Sequence, residues 1–250
     1  IFNKRHRDYI TLRTERRSFW KTQSEYEVEN LKTAIVLAGG LGTRLGLARV
    51  PKAMLKIAGK TLIQHQLDWL DKEGYKNVVI CLGHLAENVR YTYSHEMNVV
   101  QSIEEDPLGT AGAVQLAFEN NSELFTDGCL IVNVDDLCFH PVIKKSELPL
   151  NIPAIVTKKI PYSVWIEGTM FAQNEARQHV GHTWLPVNYL SKLPVKGSLE
   201  KCLAIWSKEG KVASIDTEYE WFTANTLSQL KEARNKWTEI KSGVSSVKEN

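Results

Sequence analysis

The feature that most constrains the fold is an alternation of short apolar runs with segments of helical spacing between residues 33 and 134. The apolar runs predict buried strands at 33–38, 77–82, 98–103 and 129–134. The intervening segments place apolar residues at helical spacing and predict helices at 61–72, 85–93 and 111–119. Strands that alternate with helices predict βαβ units and therefore a mostly parallel α/β sheet.

The pattern is weaker after residue 141. Short apolar stretches predict strands at 153–158, 164–171 and 211–215, and helical spacing predicts helices at 198–208 and 226–237. Ser198 is a suitable N-cap for the first of these helices. Residues 172–184 show no clear period.

Composition excludes several classes of protein. The formal net charge is only +2, so the sequence predicts no nucleic-acid partner. The longest apolar runs fall far short of the roughly 20 residues that span a bilayer, so we expect no membrane partner. None of the four cysteines forms a C-x-x-C pair, which favours reduced thiols and a cytoplasmic location.

The chain divides into three parts by composition. Residues 1–31 form a basic N-terminal extension, which charge patterning predicts to be a solvated or docking helix, with contact to a phosphate-rich partner as the alternative. Residues 32–240 form one domain, and 241–250 form a C-terminal tail. No secretory signal pattern opens the chain. Because it begins with Ile1, we expect a fragment, a processed form or a trimmed chain.

Two chemically distinctive segments follow predicted strands. A glycine-rich loop follows the first strand, and Asp135 and Asp136 follow the fourth. Ligands of parallel α/β sheets bind at the carboxyl ends of the strands. Clustered glycines let backbone N–H groups approach phosphates, while Arg44 and Lys52 add donors for phosphate oxygens. The loop fits neither a Walker P-loop nor a dinucleotide-binding fingerprint.

These residues stand in a recognisable set of motifs. The set comprises LAGGLGTRL at 37–45, PK at 51–52, GKTL at 59–62, GHLAE at 83–87, PLGTAGA at 107–113 and NVD at 133–135. Together they resemble the sugar-1-phosphate nucleotidyltransferases, with most similarity to the heptose- and mannose-1-phosphate guanylyltransferase branch. The resemblance covers about residues 32–140.

The resemblance implies a fold, a reaction and roles for particular residues. The fold is a Rossmann-like three-layer α/β/α sandwich with a mostly parallel mixed sheet, and residues 32–240 become the nucleotidyltransferase domain. The reaction joins a nucleoside triphosphate, with GTP favoured, to a sugar 1-phosphate with the help of Mg²⁺. Homo-oligomers are common in this family, so the resemblance allows a homo-oligomer, while no sequence feature fixes its symmetry. The implied catalytic residues are Arg44, Lys52 and Asp135, the metal ligands are Asp135 and in second place Asp136, and the nucleotide-binding residues are Leu37, Ala38, Gly39, Gly40, Gly42, Thr43, Gly109 and Thr110.

The C-terminal half departs from the family pattern. Gln173 and Asn174 fall where the family has a Glu-Lys pair, and Thr223 falls where it has a second metal-binding aspartate. Glu167, Glu175 or Asp216 could supply the missing charge under a shifted alignment. Two other functions therefore stay open: a cytidylyltransferase acting on a non-sugar phosphate, and a nucleotide-sugar-binding regulatory domain with little turnover.

Overall fold

The computed structural model describes residues 33–47, 49–138, 151–160, 169–172 and 175–241. The predicted extension at 1–31 and all but the first residue of the predicted tail lie outside these ranges. The domain boundaries therefore stay predictions.

The described residues form strands and helices in alternation over the first half of the chain. The strands are β1 Thr33–Leu37, β2 Lys56–Ile57, β3 Lys60–Thr61, β4 Asn77–Leu82, β5 Asn98–Ile103, β6 Gly128–Asn133, β7 Asp136–Cys138, β8 Ala154–Ile160, β9 Thr169–Ala172, β10 Glu175–Pro186, β11 Ala213–Asp216 and β12 Trp221–Thr223. The helices are α1 Leu62–Lys72, α2 Gly109–Asn120, α3 Val187–Leu190, α4 Leu199–Lys208 and α5 Leu227–Lys241.

The large sheet has the strand order β11-β8-β10-β6-β1-β4-β5, and β9 pairs with β10. Strand β1 is parallel to β4 and β6, and β4 is parallel to β5. Among the described strands of this sheet, only β10 runs against its neighbours. The predicted mostly parallel mixed sheet is confirmed, and the ends of β1, β4, β5 and β6 meet along one edge.

Alternate residues of the central strands pack on opposite faces of the sheet, as a period of two requires. Ala34 and Val36 of β1 pack on one face with α1 and α5, whereas Ile35 packs on the other with α2 and α4. Helices therefore cover both faces, which confirms the three-layer α/β/α arrangement. None of the helices described is long and apolar enough to cross a membrane.

Most predicted elements are present, one is wrong, and one strand was not predicted. Residues 164–168 of the predicted strand at 164–171 lie outside the described residues. The backbone N–H of Lys201 donates to Ser198, so the predicted N-cap of α4 is confirmed. The predicted helix at 85–93 is wrong, since only a short 3-10 turn, Ala86–Asn88, forms there. The segment at 172–184 belongs largely to β10. It shows no hydrophobic period because this strand buries polar side chains such as Gln178, His182 and Thr183.

Candidate active site

The glycine loop leaves the carboxyl end of β1 and turns sharply. Gly42 has a φ of 63° and Gly46 a φ of 65°, in the left-handed region that favours glycine. Between them lies one turn of 3-10 helix, Thr43–Leu45, which carries the exposed Arg44. The loop thus presents Arg44 to solvent above the edge of the sheet.

The residues that follow β1, β4 and β5 approach one another closely beside this loop. A Cβ on Gly39 would lie 3.1 Å from the backbone nitrogen of Gly83 and 3.1 Å from Oε1 of Glu104. A Cβ on Gly83 would lie 2.7 Å from the same carboxylate oxygen. Glu104 follows β5 directly, and its other oxygen accepts the N–H of Leu108 at 3.0 Å. A carboxylate therefore rests on the two glycines where β1 and β4 end.

Lys52 and Asp135, two of the predicted catalytic residues, form an ion pair. Lys52 Nζ lies 2.5 Å from Asp135 Oδ2, and the two side chains are only 12% and 13% exposed. Lys52 Nζ also donates to Asn225 Oδ1 at 2.7 Å. Arg44 donates to the same Asn225 oxygen at 3.3 Å. The structure therefore brings Arg44, Lys52 and Asp135 together around Asn225.

The turn that carries Asp135 is fixed by backbone contacts. The N–H of Val134 donates to Leu37 O at 3.0 Å, and the N–H of Ala224 donates to Asp135 O at 2.9 Å. The buried Gln66 of α1 donates to the carbonyls of Asn133 and Asp136, at 3.0 and 2.7 Å. These contacts come from several elements and hold Asp135 at the end of β6.

Asp136 is built into the protein interior instead. Its side chain accepts from Asn133 Nδ2 at 2.9 Å and from Trp221 Nε1 at 3.2 Å, and the residue is buried. Burial and the nearby Asp135 charge raise the pKa of Asp136 to about 7. With both carboxylate oxygens engaged, the geometry favours a structural role for Asp136 over the predicted metal role.

The raised pKa of Asp136 predicts a pH-dependent stability. The folded protein keeps this proton up to about pH 7, whereas an unfolded aspartate loses it near 3.8. The free energy of unfolding should therefore fall as the pH rises from about 4 to about 7. Urea unfolding at pH 5 and pH 8 should show this fall in the wild type and much less of it in Asp136→Asn. An equal fall in both proteins would contradict the assignment, and the exposed Asp71→Asn serves as the control.

Gly181 of β10 meets Asp136 from the other side. It has a φ of 80° and lies where the register between β10 and β8 shifts. A Cβ at this position would fall on the Asp136 carboxylate, far inside contact distance. We therefore expect Gly181→Ala to lower the free energy of unfolding by more than about 2 kcal/mol.

Gly210→Ala is the matched control for Gly181→Ala in the same denaturation experiment. Gly210 has a similar φ of 70°, but a Cβ there would meet open space. Backbone strain alone should cost it about 1–2 kcal/mol. Equal losses in the two variants would show that the contact with Asp136 adds nothing.

Gly109 and Thr110, predicted to bind nucleotide, begin α2 and contact the segment before α4. A Cβ on Gly109 would collide with the carbonyl of Gly197. The Thr110 hydroxyl accepts the N–H of Leu199 at 2.8 Å and donates to Glu200 Oε2 at 3.2 Å. The Thr110 side chain thus fastens α4 to α2, and a nucleotide role for these residues stays a prediction.

The family departures can be located in part. Thr223 pairs with Asp136 across β12 and β7, and its hydroxyl accepts from Asn225 Nδ2 at 2.7 Å. Asp216 accepts from Arg177 at 2.5 Å and from Thr157 at 2.8 Å. Glu167, Gln173 and Asn174, and the side chain of Glu175, lie outside the described residues.

Two site residues were not predicted. Glu104 follows β5 as the glycine loop follows β1, so its position after a predicted strand was the available signal. Asn225 lies two residues beyond Thr223, and no local pattern marks it as a contact of Lys52. Only the tertiary fold brings this amide against the turn after β6.

The donor set fits Mg²⁺ only as a partner of phosphate. Over the residues described, no group of three or more His, Cys, Asp and Glu side chains could hold a metal. Asp135 offers one carboxylate, which is paired with Lys52, and Mg²⁺ is commonly bound by one or two carboxylates together with substrate phosphates. Asp135 is therefore the residue that could share an ion with a bound nucleotide.

Comparison with known proteins adds to this geometry. Residues 34–145 match the family described as the MobA-like NTP transferase domain. The matched range contains the glycine loop, Lys52, Glu104 and Asp135, so it covers the strand ends described above.

Two curated relatives are similar to half of this chain or slightly less. D-glycero-alpha-D-manno-heptose 1-phosphate guanylyltransferase of Aneurinibacillus thermoaerophilus is 32% identical over 129 residues, which are 50% of this chain and 55% of that protein. Mannose-1-phosphate guanyltransferase of Yarrowia lipolytica is 30% identical over 124 residues, covering 45% and 33%. The chain spans about half the length, or less, of the curated relatives it matches.

A solved structure resembles this chain over a longer stretch than the matched family range. HddC from Yersinia pseudotuberculosis, complexed with GMP-PN, aligns with a TM-score of 0.65 at 21% identity. The alignment covers 83% of this chain and 100% of that one. The Rossmann-like α/β/α fold predicted from the sequence is thereby confirmed.

Proposed function

We propose that the protein transfers a nucleotidyl group from a nucleoside triphosphate, GTP by preference, to a sugar 1-phosphate. The products are an NDP-sugar and pyrophosphate. The observation that carries the proposal is the meeting of Arg44, Lys52 and Asp135 around Asn225, beside a glycine loop at the carboxyl edge of the sheet. The match of residues 34–145 to the MobA-like NTP transferase domain and the activities named for the two relatives support it.

The chemistry is a direct displacement at the α-phosphorus of the nucleotide. An oxygen of the sugar phosphate forms a bond to this phosphorus, and the bond to the leaving pyrophosphate breaks. Backbone N–H groups at Gly39, Gly40 and Gly42 bind the triphosphate, with Leu37, Ala38 and Thr43 completing the loop. Positioning and charge neutralisation suffice for such a transfer, so no covalent enzyme intermediate is required.

Each of the three charged residues has a different electrostatic role. Arg44 presents a planar set of donors to the α-phosphate and the leaving pyrophosphate as negative charge develops there. Lys52 binds a phosphate oxygen as a point charge. Asp135 would hold Mg²⁺, which when bound adds positive charge beside the phosphates.

Glu104 gives a physical reason to favour guanine. A carboxylate accepts two parallel hydrogen bonds, and guanine offers adjacent N1–H and N2–H donors on one edge. Adenine and cytosine place an acceptor beside their amino group, and uracil and thymine offer one N–H between two carbonyls. Glu104 lies over Gly39 and Gly83, next to the loop proposed to bind the triphosphate. We therefore assign Glu104 as the residue that selects the base.

This assignment predicts a change in base preference for Glu104→Gln. Glutamine can still accept the Leu108 N–H through its amide oxygen, but it places a donor against one of the guanine donors. We expect kcat/KM for GTP to fall about 10- to 100-fold relative to the other nucleotides, the equivalent of roughly 1–3 kcal/mol. The exposed neighbour Glu105→Gln is the control. An unchanged ratio of GTP to UTP would remove the assignment.

A grid assay separates the proposed function from its two alternatives. Pyrophosphate release is measured with Mg²⁺ for four nucleoside triphosphates against mannose 1-phosphate, heptose 1-phosphates, glucose 1-phosphate and choline phosphate. We expect release with GTP and a hexose or heptose 1-phosphate. Release with CTP and choline phosphate would identify a cytidylyltransferase. If no combination releases pyrophosphate while a nucleotide still raises Tm, a binding domain is favoured.

A further inference from the structure

Lys52 and Asp135 contact each other directly in the candidate active site. Lys52 Nζ lies 2.5 Å from Asp135 Oδ2 and 2.7 Å from the amide oxygen of Asn225. Both members of the ion pair are nearly buried, so little of the Asp135 carboxylate faces solvent and one of its oxygens is held by the ammonium. A divalent cation at Asp135 would have to compete with this ammonium for the same oxygen.

Among the described residues whose side chains hydrogen-bond to Lys52, only Asp135 is a carboxylate, and Asn225 is neutral. Thr223 and Asn225 bond to each other and offer neutral oxygens, and Arg44 adds a further positive charge on Asn225. Both oxygens of Asp136 are already engaged by Asn133 and Trp221. Without nucleotide, this part of the site therefore presents cations, which attract a phosphate chain and repel a free metal ion.

We infer that Lys52 closes Asp135 to divalent cations in the nucleotide-free protein, and that a bound triphosphate opens it. Phosphate oxygens compete for the ammonium, and release of Asp135 Oδ2 then leaves a carboxylate for the cation that accompanies the phosphates. Asn225 is a positioning residue in this arrangement, since its amide oxygen holds Lys52 against Asp135 and also holds Arg44. The role of the triphosphate rests on the proposed function, whereas the closed state of Asp135 does not.

The test measures the affinity of the nucleotide-free protein for Mn²⁺. Binding is monitored through the electron paramagnetic resonance signal of the Mn²⁺ that stays free in solution. We expect Lys52→Met to bind Mn²⁺ at least tenfold more tightly than the wild type. The double variant Lys52→Met/Asp135→Asn should lose this gain, which would locate the ion on Asp135. Lys56→Met removes one positive charge from an exposed side chain nearby in sequence and should bind Mn²⁺ as weakly as the wild type. Equal affinity of the wild type and Lys52→Met would overturn the inference.

A second measurement needs only the wild type and keeps the inference testable if Lys52→Met does not fold. Mn²⁺ alone should leave Tm unchanged, and Mn²⁺ with GTP should raise it above the value with GTP alone. A rise with Mn²⁺ alone that disappears in Asp135→Asn would overturn the inference. If no nucleotide raises Tm at all, the proposed function fails, and the Mn²⁺ comparison still decides whether Lys52 closes Asp135.

Discussion

Arg44→Ala will lower kcat for nucleotidyl transfer by about 10²- to 10³-fold, the loss typical of one preorganised donor to a developing negative charge. The structure gives two reasons for an effect of this size. Arg44 lies on a tight turn flanked by Gly42 and Gly46, and its guanidinium donates to Asn225, so the group is held in place before substrate arrives. Its planar donors then require little reorganisation as charge moves onto pyrophosphate.

Steady-state kinetics of Arg44→Ala distinguish this role from simple substrate binding. The loss should fall mainly on kcat, with a smaller change in KM, because the interaction strengthens in the transition state. Arg49→Ala is the control, since Arg49 is an exposed cation in the same loop region. A variant that keeps kcat and changes only KM would show that Arg44 binds substrate without stabilising the transition state.

Asp135→Asn should have the second large effect, lowering kcat/KM by at least about 10²-fold, since a metal at the phosphates contributes several kcal/mol. Asparagine has almost the same shape, and the backbone contact from Ala224 to the carbonyl of residue 135 is independent of the side chain. The fold should therefore survive while the charge needed for Mg²⁺ is lost. Activity is measured over a range of Mg²⁺ concentrations, where excess metal should not restore the wild-type rate.

The exposed Asp71→Asn again provides a matched control for Asp135→Asn, because it removes one carboxylate on α1 at the surface. Circular dichroism and Tm of both variants establish that they are folded. Near-normal turnover in Asp135→Asn would remove Asp135 from the proposed mechanism and would leave the positive residues as the main electrostatic contribution.

The sequence predicts the first half of the fold well, because burial there follows simple periodicity. Strands β1, β4 and β6 are continuous apolar runs, as expected for strands covered on both faces. Strand β10 has no such signal, since it buries Gln178, His182 and Thr183. The wrongly predicted helix at 85–93 begins at Leu85, whose φ of 58° places it in the left-handed region and interrupts a helix at its start.

Some residues of the candidate site can be predicted from local sequence motifs, and others can be identified only from the tertiary fold. Arg44, Lys52 and Asp135 stand in motifs close to strand ends, so the sequence identifies them and the fold brings them together. Asn225 reaches them only because β12 pairs with β7, a contact between segments more than 80 residues apart along the chain. The polar environment of Asp136 depends on the same pairing, and no sequence period reveals it.

The most direct test of the account follows the oxygen atoms through the reaction. The protein is incubated with Mg²⁺, GTP and mannose 1-phosphate that carries ¹⁸O in its phosphate group. The masses of the products are then measured by mass spectrometry. Attack by a sugar-phosphate oxygen on the α-phosphorus predicts a GDP-sugar that retains all of the label and a pyrophosphate that has none. Labelled pyrophosphate, or GTP consumed without a labelled GDP-sugar while the grid assay reports release with this pair, would contradict the proposed transfer.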